Sequence, residues 1–161
     1  MSLRSVRWNA TAVALVLSLL SFPGQAEQAG PFAALRGSWS GSGIITMSNG
    51  ANERIRCRAA YLPGSRDLQL TLRCASDSYN FNLASDVHSE GGALSGSWTE
   101  ATRNASGSIS GRVSGSQIEA TAKGGSFAAN LLLVTRGARQ SVSIRAAGAD
   151  ITGVDIALNR Q

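Results

Sequence analysis

A chain of 161 residues with 43% hydrophobic residues, 16% charged residues and 18 glycines is of a size to fold as one domain around one core. Its formal net charge of +5 is mild, and without interleaved aromatic and basic residues it argues against a nucleic-acid partner. One histidine and two cysteines leave little material for a metal centre, a histidine-dependent hydrolase or any cofactor site.

Arg4 and Arg7 precede an uncharged apolar run from Ala10 to Phe22, and Pro23-Gly24-Gln25-Ala26 follow. A basic start, a short apolar stretch and small residues at the end read as a secretory signal peptide over 1–26, cleaved after Ala26. The apolar run is shorter than the ~20 residues that a spanning helix needs. The mature chain is therefore expected to be exported, periplasmic or secreted, with no transmembrane span. Residues 27–36 form an N-terminal segment with one short helical turn, Pro31 taking its first position. The remainder, 37–161, is read as the domain.

Gly37 to Thr46 form a glycine-rich first strand, turned by Ser48-Asn49-Gly50, since Asn-Gly is a strong hairpin signal. The next two strands are the most legible. Ile55, Cys57, Ala59 and Tyr61 alternate with arginines, and Leu68, Leu70, Leu72 and Cys74 alternate with polar residues after a turn at Leu62-Pro63-Gly64-Ser65. Period-two patterning of this kind marks half-buried strands. If Cys57 faces Cys74, then Ala59 faces Leu72, Tyr61 faces Leu70, and the loop falls on Gly64–Asp67. The two cysteines are thus expected to form a cross-strand disulfide in an oxidising compartment.

Tyr79, Phe81 and Leu83 open a fourth strand that ends near Val87, and His88 to Gly92 read as a polar, flexible loop. Leu94 to Thr99, Gly107 to Val113, Ile118 to Ala122, Phe127 to Leu133, Val142 to Ile144 and Val154 to Leu158 complete the series. No long stretch has a helical period. The fold class is all-β, an antiparallel up-and-down β-barrel of about eight to ten strands, because closure removes the exposed edges of a meander.

The helical turn running into Gly37-Ser38-Trp39 resembles the opening of lipocalin-type (calycin) barrels. That resemblance implies that Trp39 plugs the barrel base, with a basic residue of a late strand, Arg145 or Arg160, packed over it. Leu94 to Glu100 through Gly111-Arg112 is similar to avidin strands. Leu35-x-Gly37-Ser38-Trp39 and Leu94-x-Gly96-Ser97-Trp98 also hint at an internal duplication. Over its whole length the chain is similar to uncharacterised exported bacterial proteins of this size.

No catalytic residues emerge. His88 lacks an identifiable partner, and no Gly-x-Ser-x-Gly elbow joins a strand to a helix. Glu53, Glu100 and Glu119 are the carboxylates to weigh for glycoside chemistry. Glu119 is out of phase with the apolar face, whereas Glu100 shares the phase of Trp98 and points inward near a rim. Two features point to binding. Gly41, Gly43, Gly96, Gly107 and Gly111 share the inward phase of the tryptophans, so a closed barrel either is under-filled or coils tightly at these positions. An under-filled barrel would offer a cavity lined by Trp39, Tyr61, Leu70, Phe81, Trp98 and Leu131 to a small apolar or amphipathic ligand.

The second feature is an arginine face. Arg58 is expected opposite Arg73, Arg54 opposite Asp77, and Arg56 one step along from Arg58. Opposed like charges are destabilising. Arg56, Arg58 and Arg73 therefore call for an anion, either Asp67 and Glu90 of the same chain or an anionic lipid, lipopolysaccharide or polysaccharide. The leading expectation is an exported non-enzymatic barrel binding a small ligand or an envelope component. The alternative is a protein-interaction module, a protease inhibitor or an envelope structural factor, that uses this outer face.

Overall fold

The computed structural model describes residues 29–161; the signal peptide expected over 1–26 lies outside the described residues. A short 3-10 helix (Ala33–Leu35) leads into ten strands: β1 (Gly37–Met47), β2 (Asn52–Pro63), β3 (Asp67–Ala75), β4 (Asn80–Glu90), β5 (Ala93–Glu100), β6 (Ala105–Ser114), β7 (Gln117–Gly124), β8 (Phe127–Arg136), β9 (Arg139–Ala147) and β10 (Ile151–Arg160). Each strand pairs antiparallel with its sequence neighbours, and β10 returns to β1. The fold is the expected up-and-down barrel, closed with ten strands. Every backbone edge is consumed by that closure.

The hairpin of β2 and β3 has the expected register. Cys57 lies opposite Cys74, Ala59 opposite Leu72 and Tyr61 opposite Leu70, and the two sulfurs are bonded across a Cα separation of 4.1 Å. Two details differ. Arg54 does not oppose Asp77, because β3 ends at Ala75; Arg54 pairs instead with Ile44 of β1. His88 to Glu90 are not loop but the end of β4, paired with Asp67 on one side and with Ser95 to Ala93 on the other. Only Gly91 and Gly92, both at positive φ, turn the chain, a conformation that glycine adopts without a Cβ penalty.

Closure tilts the strands by roughly 40° to the barrel axis. The cross-strand row that starts at Trp39 at the base passes Ala59, Leu72 and Leu83 and reaches Glu100 at the far rim. Such tilt needs strands that bend sharply, and the glycines permit it. A Cβ on Gly41 would sit 1.9 Å from the Ala157 carbonyl oxygen, and one on Gly107 would sit 1.8 Å from that of Lys123. Of the two readings weighed for the inward glycines, tight coiling therefore applies. They bring neighbouring backbones together and do not themselves leave a void.

The base is sealed. Phe32 and Leu35 of the leading segment are buried against Trp39, which is 1% exposed. The Trp39 indole N–H donates to the Leu35 carbonyl at 2.7 Å. Arg160, last residue of β10 and directly opposite Trp39 on the ladder, lays its guanidinium over the indole ring 4.5 Å from the centroid. Its two terminal nitrogens donate to the Arg36 and Ala34 carbonyls. Arg145, the other candidate, is on the outer wall, where one guanidinium nitrogen donates to both carboxylate oxygens of Asp155. Phase explains the difference: Arg160 follows Leu158 and Ile156 inward, whereas Arg145 follows Ser143 outward.

Replacing Arg160 by Ala removes a cation–π contact and strands two carbonyls. Denaturant unfolding should show a loss of about 2 kcal/mol, with Arg160→Lys keeping less than half of the lost stability because an ammonium cannot reach both carbonyls in one plane.

Candidate functional site

The residues expected to line the interior all point inward, but they fall into two groups. Trp39 and Tyr61 belong to the packed base, with ring centroids 6.4 Å apart in an edge-to-face contact. Tyr61 is 3% exposed, and its hydroxyl donates to Gln140 Oε1 at 2.7 Å, while Gln140 Nε2 donates to Thr135. Burial pushes the Tyr61 phenol far up from its ordinary value, despite the bond to Gln140. This neutral trio finishes the floor of the barrel.

Leu70, Phe81 and Leu131 form the second group, together with Leu72, Ile109 and Ile144. All share the phase of buried neighbours, yet all are only partly buried. Their partial burial contrasts with the nearly complete burial of the floor. The small residues Ala120 and Ala122 of β7 are likewise inward and partly accessible. These branched aliphatics and one aromatic line the wall above the Trp39–Tyr61 floor.

Trp98 sits between these groups. It is 7% exposed, edge-to-face with Phe127 at 5.8 Å, and its indole N–H is buried with no acceptor. Trp39 bonds its own N–H and is held by a helix and an arginine, so the two Gly-x-Trp segments have different surroundings. The likeness between them is confined to strand starts.

The upper rim is built by Glu100 and the turn after it. Glu100 points inward as expected but is not free for chemistry. It is 6% exposed, and its carboxylate accepts the backbone N–H groups of Asn82 at 2.8 Å, Thr102 at 3.1 Å and Arg103 at 2.9 Å. Burial raises its pKa, but these donors outweigh burial and hold the carboxyl below its usual range. The turn so fixed carries Arg103 over the Phe81 ring, 4.7 Å from the centroid, and near Tyr79 at 6.0 Å. Phe81 and Tyr79 stack on each other, and Tyr79 reaches Met47. Neither other carboxylate pairs with Glu100: Glu53 accepts the Ser78 N–H in the β3–β4 turn, and Glu119 is on the outer wall.

His88 is also outside, 2.7 Å from Asp67. Asp67 therefore does not neutralise the arginines. Arg58 stands opposite Arg73, with Arg56 two residues along β2 on the same outer face. Among the described residues no carboxylate comes within ion-pair distance of these three. They line an outer groove of about 850 Å³ together with Ser40, Ser42, Asn80, Asn82 and Thr102. The arginine pattern was readable in the sequence. The concavity was not, because it follows from the bend of β1 and β2.

The Glu100 arrangement has a pH signature. Its lowered folded pKa contributes stability that is present above the unfolded value near 4.5 and is lost as pH falls through the folded value. Glu100→Gln should cost about 2 kcal/mol at pH 7, measured by urea unfolding, and wild type and variant should converge as pH drops below 4.5.

Comparison with solved structures places the barrel among known folds. Rv2717c from M. tuberculosis is similar with a TM-score of 0.64 at 16% identity, covering 81% of this chain and 94% of that one. The S-type phycobiliprotein lyase CPES from Guillardia theta is similar with a TM-score of 0.57 at 10% identity, covering 81% and 90%. No family model and no curated protein sequence matches the chain. At such identities the likeness is one of fold alone, a β-barrel.

Proposed function

We propose that this protein is a non-enzymatic binding barrel that takes one small apolar or amphipathic molecule into its interior through the upper rim. The observation that supports the reading is the partial burial of the inward-phase residues Leu70, Leu72, Phe81, Ile109, Leu131 and Ile144, above a floor that is fully buried. Apolar groups left partly unburied inside a closed wall forfeit contact that a ligand can supply, at about 25 cal/mol for each Å² covered. The base cannot admit a ligand, because Phe32, Leu35, Trp39 and Arg160 fill it. The rim of Met47, Tyr79, Phe81 and Arg103 offers an apolar throat beside a guanidinium that also pairs with Glu100 at 3.5 Å. An amphipathic molecule would leave its polar end at this mouth.

The non-enzymatic reading is supported by what the polar groups already do. His88 lies on the outer wall against Asp67, and Glu100 is engaged by three amides. The disulfide supports an oxidising compartment, in keeping with an exported protein that carries or senses a small molecule there, such as a component of the cell envelope.

A fluorescent fatty acid such as dansyl-undecanoate tests the proposal. The wild-type protein should bind one equivalent with Kd of roughly 1 μM. Leu70→Trp and Leu131→Trp, which fill the space, should each weaken binding tenfold or more while thermal unfolding stays within a few degrees. Absence of saturable binding by wild type, or unchanged affinity in both filled variants, would contradict it.

A further inference from the structure

The arginine groove on the outer wall shares only Phe81 with the residues assigned to the interior site. We infer that it is a separate binding site for a phosphate monoester, carried by a soluble metabolite or by a lipid headgroup. Arg58 of β2 and Arg73 of β3 are direct cross-strand partners, so their Cβ atoms stand ~5 Å apart. Arg56 follows two residues along the strand, ~7 Å away. All three side chains are exposed, and none has a carboxylate within ion-pair distance among the described residues. Three guanidinium forks thus stand within the span of one tetrahedral oxyanion and its hydrogen-bond shell.

The surroundings fit an anion with several oxygens. Ser40 lies opposite Arg58 and Ser42 opposite Arg56 on the β1 side. Asn82 lies opposite Arg73 on the β4 side. The row Ser40–Arg58–Arg73–Asn82 therefore presents hydroxyl, two guanidiniums and amide in sequence across four strands, with no acidic side chain in it. A phosphate monoester near neutral pH carries between one and two charges and three terminal oxygens, which matches three arginines better than a single carboxylate does. Guanidinium forks engage such oxygens in pairs.

The disulfide explains how the fold tolerates the site. Cys57 and Cys74 immediately precede and follow the arginine pair on the same two strands, and their bond points to the opposite face. Mutual repulsion of Arg58 and Arg73 would push β2 and β3 apart. The bond beside them prevents that separation, so the like-charged pair stays preformed without its ligand.

Calorimetric titration with glycerol 3-phosphate, and flotation with phosphatidic acid vesicles against phosphatidylcholine vesicles, test the inference on the intact protein. Wild type should bind at least one of the two phosphate probes, and which one responds identifies the source. Arg58→Ser and Arg73→Ser should each weaken that binding tenfold or more, leave dansyl-undecanoate binding unchanged, and raise the thermal midpoint slightly without ligand. Arg112→Ser on β6, across the barrel, controls for general charge and should bind as wild type does. Binding of neither phosphate probe would overturn the inference, as would an equal loss in Arg112→Ser. Because fatty-acid binding is read separately, failure here leaves the interior reading standing, and the reverse also holds.

Discussion

Everything in this molecule follows from the closure of β10 onto β1. Nine residue pairs from Trp39 opposite Arg160 to Met47 opposite Ile151 join the first strand to the last. They turn a meander with two exposed edges into a wall with none. The seam is fastened most firmly at its lower end, where Arg160 stacks on Trp39 and holds the carbonyls of the leading segment. Closure also depends on glycine at the bend, since no side chain fits between Gly41 and the Ala157 carbonyl.

A closed wall of ten strands sets the problem that the side chains must solve. An eight-strand barrel is about the size that its own side chains can fill, and ten strands enclose more. The chain closes the base with the rings of Trp39 and Tyr61 and adds Phe32 from outside the sheet. Above that floor it supplies leucines, isoleucines and alanines that are only partly buried. Polarity is arranged in the same spirit. Glu100 is spent on fixing the β5–β6 turn, and that turn places a single guanidinium above Phe81 at the mouth. Floor, wall and rim are thus built from different residue types.

Much of this was legible from residue order. Period-two alternation located the strands, and the cysteines together with Pro63-Gly64 determined the register of β2 against β3 before any coordinates. The basic residue over Trp39 stays open between Arg145 and Arg160 in the sequence, and the structure selects Arg160, which shares a face with Leu158 while Arg145 alternates with Ile144. His88, Ser89 and Glu90 are polar and so read as loop; ladder pairing to β3 and β5, which polarity does not report, extends the strand to Glu90. The role of Glu100 was hidden for another reason. Its partners are amides brought near by a turn and by a neighbouring strand, and backbone donors leave no mark in a sequence. The groove at Arg58 and Arg73 needed both kinds of information, charge from the sequence and concavity from the bent sheet.

The central claim is that the space between the Trp39–Tyr61 floor and the Phe81 rim accepts an apolar ligand. Isotope-filtered nuclear Overhauser spectroscopy on methyl-labelled protein with unlabelled lauric acid measures this most directly. The account predicts contacts from the fatty-acid chain to the methyl groups of Leu70, Ile109, Leu131 and Ile144, and none to Leu62 and Leu132 on the outer wall. Contacts confined to the outer leucines, or no contacts while the inner methyls show mutual close packing, would contradict it.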